Sequence, residues 1–161
     1  PRTTIRRMLY GASGDAPHGS GGAWEAGPTV GMVDRKKGLL DGMSDPSALP
    51  PWLTEADLDF YAAEFARCGF RGGLNWYRNI DRNWELLAPF SGAKVTVPAL
   101  YIAGDRDLVV KLPGAEQILA NLANTLPKLR RQIMLPGCGH WTQQERATEV
   151  NTAMIDFLRS L

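Results

Sequence analysis

The chain has 161 residues, 44% of them hydrophobic and 22% charged, which is enough apolar material for one packed domain and unlike a disordered tail. Lys and Arg number 18 against 17 Asp and Glu, a formal net charge of +1. That balance argues against a nucleic-acid binder that neutralises phosphates, and it removes electrostatic attraction to a membrane surface. No apolar run approaches the ~20 residues of a transmembrane helix. No secretory leader is visible, and the sequence opens on Pro1 rather than Met. Cys68 and Cys138 belong to no CxxC pattern, so reduced thiols in a cytoplasmic protein are expected. The histidines are His18 and His140, too few for a His-rich metal site.

Nine of the 17 glycines lie between Gly11 and Gly42, and five of the 11 prolines between Pro17 and Pro51. The segment from Gly11 to Pro51 therefore reads as a long excursive loop, with His18 a solvated loop residue. Thr54 is a good N-cap, with Asp57 in the first turn. Leu58, Tyr61, Ala62 and Phe65 follow at helical spacing until Gly69. A second helix is expected after Gly72 and Gly73, with Trp76, Ile80, Trp84 and Leu87 on one face and Tyr77 beside it. Pro89 ends it.

From Val97 to Ala103 the chain is continuously apolar, the mark of a strand buried on both faces of a parallel sheet. A turn follows, Gly104 to Asp107, and then a helix from about Pro113 with Ile118, Leu119, Leu122 and Leu126 inside. A second strand, Gln132 to Leu135, runs into the loop Pro136–Gly137–Cys138–Gly139–His140. Val150, Met154, Phe157 and Leu161 mark a final helix. Strand–helix–strand–helix implies an α/β architecture with two parallel strands, whose following loops emerge at one edge. Open α/β sheets place their sites there. Asp107 and His140 can therefore be neighbours.

An imidazole held by a carboxylate has a fixed tautomer and can take a proton from water or a hydroxyl. Asp107 is preferred over Asp105 as that carboxylate, because Gly104 makes the turn and a carboxylate three positions later can look back over the strand end, whereas Asp105 suits local turn hydrogen bonds. Acid then base in this order fits the α/β-hydrolase arrangement, in which the nucleophile precedes both. No G-x-nucleophile-x-G elbow occurs; Gly11, Ser13 and Gly14 lack the spacing and a preceding strand.

The runs FRGGLNWYRN (Phe70 to Asn79), PALYIAGDRDLVV (Pro98 to Val110) and GCGHWTQQE (Gly137 to Glu145) resemble the C-terminal half of soluble epoxide hydrolases, bacterial members in particular. The resemblance implies an α/β-hydrolase core carrying an inserted helical cap. Residues 1–88 would be the later part of the cap and residues 89–161 the end of the core, incomplete without an N-terminal half. It implies that Tyr77 donates a hydrogen bond to the epoxide oxygen and that Asp107 and His140 act as the acid–base pair. The aspartate nucleophile and a second cap tyrosine would lie upstream. Trp141, Leu108 and Val109 are expected to border the substrate, or simply to pack. The implied substrate is a small apolar epoxide opened to a diol, in a cytoplasmic, bacterial detoxification role. No cofactor, metal, nucleic acid or membrane partner is implied, and homodimerisation stays open. Competing readings are a haloalkane dehalogenase, a serine esterase, or a fragment inactive by itself.

Overall fold

Residues 1–17, 36–38 and 40–161 are described by a computed structural model. The first element is a helix not foreseen above, α1 (Arg2–Gly11). Its signal is Ile5, Met8, Leu9 and Ala12, an i, i+3, i+4, i+7 series that buries Ile5 and Ala12. Of the segment read as an excursive loop, Gly11 closes α1 and the described remainder makes turns and bends. Residues 18–35 and 39, His18 among them, lie outside the described residues.

Helix α2 (Glu55–Cys68) starts on a full capping box. The Thr54 side chain accepts the Asp57 N–H, while Asp57 accepts the Thr54 N–H. Gly69 ends it at φ 68°, a conformation that favours glycine. Helices α1 and α2 pack through Ile5, Leu53 and Leu58, with Tyr61, Phe65 and Phe70 around them. Leu58 is fully buried, and the Phe65 and Phe70 rings stack with centroids 4.7 Å apart. Arg2 bridges the same pair by ion pairs to Glu55 and Asp59.

The expected second helix differs in two ways. It begins at Arg71, so both glycines lie inside it, and it breaks at Asn79 into α3 (Arg71–Arg78) and α4 (Ile80–Leu87). The Asn79 side chain donates to the carbonyl of Asn75, competing locally with helix continuation. A 3₁₀ turn over Ala88–Phe90 takes in Pro89. Among the described residues the apolar face is left largely exposed, Trp76 at 78% and Trp84 at 82%.

Strand β1 (Ala99–Gly104) pairs in parallel with β2 (Leu129–Leu135), a two-stranded sheet with a register shift after Ala99. β1 starts two residues later and ends one later than expected, while β2 contains the expected range and begins three residues earlier. β1 is half-buried rather than covered on both faces, with Ala103 and Gly104 its buried residues. Among the described residues the sheet has two strands, and their outer backbone edges are unpaired. The connection holds a 3₁₀ turn (Leu108–Lys111), α5 (Ala115–Ala120) and α6 (Leu122–Thr125), split at Asn121, instead of one helix. Ile118, expected inside, is exposed. After β2 come α7 (Thr142–Glu145) and α8 (Ala147–Arg159). Val150 and Ala153 are the buried positions of α8, whereas Met154 and Leu161 are exposed. A second apolar cluster joins Leu135, Cys138 and Val150 with Ile102 and Ile133.

Candidate active site

Strand β1 runs out at Gly104 and β2 at Leu135, which are register partners. The backbone ladder continues past both ends. Asp105 N–H donates to the Leu135 carbonyl at 3.1 Å, and Arg106 N–H to that of Cys138 at 2.9 Å. The two turns are therefore stitched together before their side chains are considered. Glycine is required at their contact: a Cβ on Gly104 would stand 2.1 Å from the Cys138 carbonyl oxygen. A Cβ on Gly139 would stand 2.3 Å from the Gly14 nitrogen, where the loop after α1 closes over the β2 turn.

This stitching brings Asp107 and His140 together. His140 Nδ1 lies 3.0 Å from Asp107 Oδ1, which also accepts the Val109 N–H at 2.9 Å. The carboxylate can only accept, so Nδ1 carries the proton and Nε2 presents its lone pair. Burial raises the Asp107 carboxyl, but the bonds from His140 and Val109 outweigh it and hold it below its ordinary value. The hydrogen bond to Asp107 raises the imidazole against the opposing effect of burial, helped by the charges of Asp107 and Glu145. Asp105 does not reach the imidazole. Its Oδ1 accepts the Gly137 N–H at 2.8 Å, across the two turns rather than within its own.

Tyr77 and Trp141 share another feature. Both line an apolar cavity of about 840 Å³ whose walls include Ile5 and Leu9 of α1, Phe65 of α2, and Leu74 and Trp76 of α3. Trp141 is anchored by its indole N–H, which donates to the Leu9 carbonyl at 2.8 Å. Its ring meets that of His140 edge to face, with centroids 4.8 Å apart. The cavity wall and the Asp107–His140 pair are thus contiguous through one residue. Leu108 and Val109 flank Asp107 but do not line this cavity.

Glu145 was not singled out from sequence, yet its carboxylate accepts backbone N–H groups from Gly14, Gly139 and Trp141. A glutamate in a short helix after a Gly-rich turn is too common to be read as such a clamp. Arg106 is similar: its Nη1 donates to the Gly14 carbonyl at 2.7 Å. Among the described residues no group of three or more His, Cys, Asp or Glu could hold a metal, and no helix is long and apolar enough to cross a membrane.

A parallel β–α–β unit with a carboxylate on the turn after one strand and a histidine on the turn after the next defines the C-terminal part of an α/β-hydrolase. Within that class, the chain is a homologue of the epoxide hydrolases. It is 38% identical over 161 residues to epoxide hydrolase A of Mycobacterium tuberculosis, covering 100% of this chain and 47% of that protein. It is 44% identical over 123 residues to epoxide hydrolase B of the same organism, covering 76% of this chain and 34% of the relative. Among solved structures, epoxide hydrolase A from Mycobacterium thermoresistibile matches with TM-score 0.78 and 44% identity, over 99% of this chain and 46% of that one. An epoxide hydrolase from an endophytic Streptomyces matches with TM-score 0.86 and 38% identity, over 98% of this chain and 45% of that one. No protein-family model matches. The chain spans about half the length, or less, of the curated relatives it matches.

Proposed function

We propose that this chain is the later part of an epoxide hydrolase that converts an apolar epoxide and water to a vicinal diol. The observation carrying this reading is the 3.0 Å Asp107–His140 contact, joined through Trp141 to the apolar cavity that Tyr77 lines. Residues 1–88 contribute to a helical cap and 89–161 to the core; the two separate apolar clusters, one on each side of that boundary, support the division. The nucleophile is an aspartate of an N-terminal half, and this chain alone is inactive.

The chemistry follows from the residue types. The upstream carboxylate attacks an epoxide carbon, forming an ester C–O bond as the ring C–O bond breaks. Tyr77 hydrogen-bonds the oxygen as it gains charge and delivers a proton to it. A second cap tyrosine upstream shares that task. Water then attacks the ester carbonyl while Nε2 of His140 takes its proton, and Asp107 stabilises the imidazolium. As the ester cleaves, the imidazolium passes its proton to the departing diol oxygen, the water's second proton returns to the Tyr77 phenolate, and the carboxylate is restored. Trp141 borders the apolar substrate on the His140 side; Leu108 and Val109, outside the cavity, would meet only the part of the substrate that reaches Asp107.

The test is His140→Gln in the complete gene product, offered an aryl or alkyl epoxide. One turnover, with a covalent adduct equal to the substrate's mass, is expected. Sustained diol production by the variant overturns the role given to His140. Absence of diol from the unaltered protein with any epoxide overturns the activity.

A further inference from the structure

Glu145 takes no part in the chemistry above, yet its carboxylate is the most heavily used side-chain acceptor beside the histidine. Oε2 accepts the Gly14 N–H at 2.9 Å and the Gly139 N–H at 2.8 Å, and Oε1 accepts the Trp141 N–H at 3.0 Å. Gly139 and Trp141 bracket His140 in the chain. The amide of His140 itself donates to the Ala12 carbonyl at 2.9 Å. Three consecutive N–H groups are thus fixed, two by one carboxylate and the third by the α1 loop that the same carboxylate holds.

We propose that Glu145 is a positioning residue for His140, seating the imidazole over Asp107 by clamping the backbone on both sides of it and tying that backbone to Gly14. The inference rests on the base role given to His140 above. Only a carboxylate can accept at both oxygens; an amide would turn an N–H donor toward either the Trp141 or the Gly139 N–H. A Cβ on Gly139 would stand 2.3 Å from the Gly14 nitrogen, so the two backbones meet directly where the carboxylate clamps them. The charges acting on the imidazole are Asp107, from the β1 turn, and Glu145, from α7. Arg106 of the β1 turn ends on the Gly14 carbonyl, and the α1 side contributes the Ala12 carbonyl.

The experiment compares the complete gene product with its Glu145→Gln variant, folded state checked by far-ultraviolet circular dichroism. Imidazole ¹⁵N spectra are assigned by the loss of a signal in His140→Gln. In the unaltered protein His140 is expected as the single tautomer protonated at Nδ1. In Glu145→Gln its two nitrogens should shift toward tautomer averaging and its titration midpoint should fall. The turnover number should drop by about tenfold to hundredfold, with KM within about twofold, as expected when a reacting group is misplaced by about an ångström. Should Glu145→Gln not fold, Glu145→Asp serves, since it keeps the charge but is too short to span all three amides. An unchanged imidazole spectrum together with turnover within about twofold of normal overturns the inference. If the spectrum moves while no epoxide is turned over by the unaltered protein, the positioning role stands and the epoxide reading falls.

Discussion

Nδ1 of His140 and Oδ1 of Asp107 lie 3.0 Å apart although 33 residues separate them in the chain. The pairing costs no special loop. Gly104 and Leu135 are register partners, so the turns that follow start side by side. Each group then alters the other's protonation. The folded-state value of His140 is raised, so its contribution to stability is complete below its unfolded value of ~6.5 and is lost as pH rises through the raised value. The value of Asp107 is lowered, so its contribution is present above its unfolded value and is lost as pH falls through the lowered one. The pair stabilises most between those limits. A base must be neutral, so the acid limb of kcat/KM is expected above pH ~6.5. Asp107→Asn should move that limb down and cut the rate by at least about hundredfold, as read from a pH–rate profile.

Tyr77→Phe removes one hydroxyl from a side chain that is 72% exposed at the cavity wall. The melting temperature should change little. On the proposed mechanism the rate of ester formation should fall by about a hundredfold, as measured by single-turnover kinetics, because the hydrogen-bond donor assigned to the developing oxyanion is lost. An unaltered single-turnover rate would remove Tyr77 from the mechanism.

Gly104→Ala should be severely destabilising, because its Cβ would fall within 2.1 Å of the Cys138 carbonyl oxygen, a backbone atom that cannot swing aside. A loss of about 3 kcal/mol or more is expected in chemical denaturation. Activity should fall with it, since the same approach carries the turns that hold Asp107 and His140.

Leu58→Ala removes the fully buried centre of the α1–α2 cluster and should cost about 2–5 kcal/mol. Urea denaturation of the complete gene product reads this directly.

The two thiols should differ sharply in reactivity. Cys68 is exposed, whereas Cys138 is buried and its thiol is pushed up to about 12, first by desolvation and then by the charge of Glu145. A thiol-labelling reagent at neutral pH should modify Cys68 at once and Cys138 only on unfolding. Equal rates in the folded protein would contradict the packing around the β2 turn.

Much of this arrangement is local chemistry, and local chemistry is legible in a sequence. The Thr54–Asp57 capping box and the stop at Gly69 are set by backbone donors and dihedral freedom within a few residues. The strand–helix–strand order and the common edge of the two turns follow from hydrophobic patterning and from the way parallel strands must connect. The motif resemblance added the expectation of a cap and of epoxide chemistry. Tertiary structure decided the rest. The i, i+3, i+4, i+7 series of the short α1 stands in the sequence, but what its ten residues cover is supplied by α2. Asp105 and Asp107 are nearly equivalent as sequence, and only the crossing of the turns directs one to Gly137 and the other to His140. The shared cavity of Tyr77 and Trp141 depends on α3 and the β2 turn meeting across α1, a contact between residues far apart in the chain. Glu145 is the clearest case. Its three amide partners include Gly14, 131 residues away, and no local pattern encodes a carboxylate whose purpose is to hold a distant backbone.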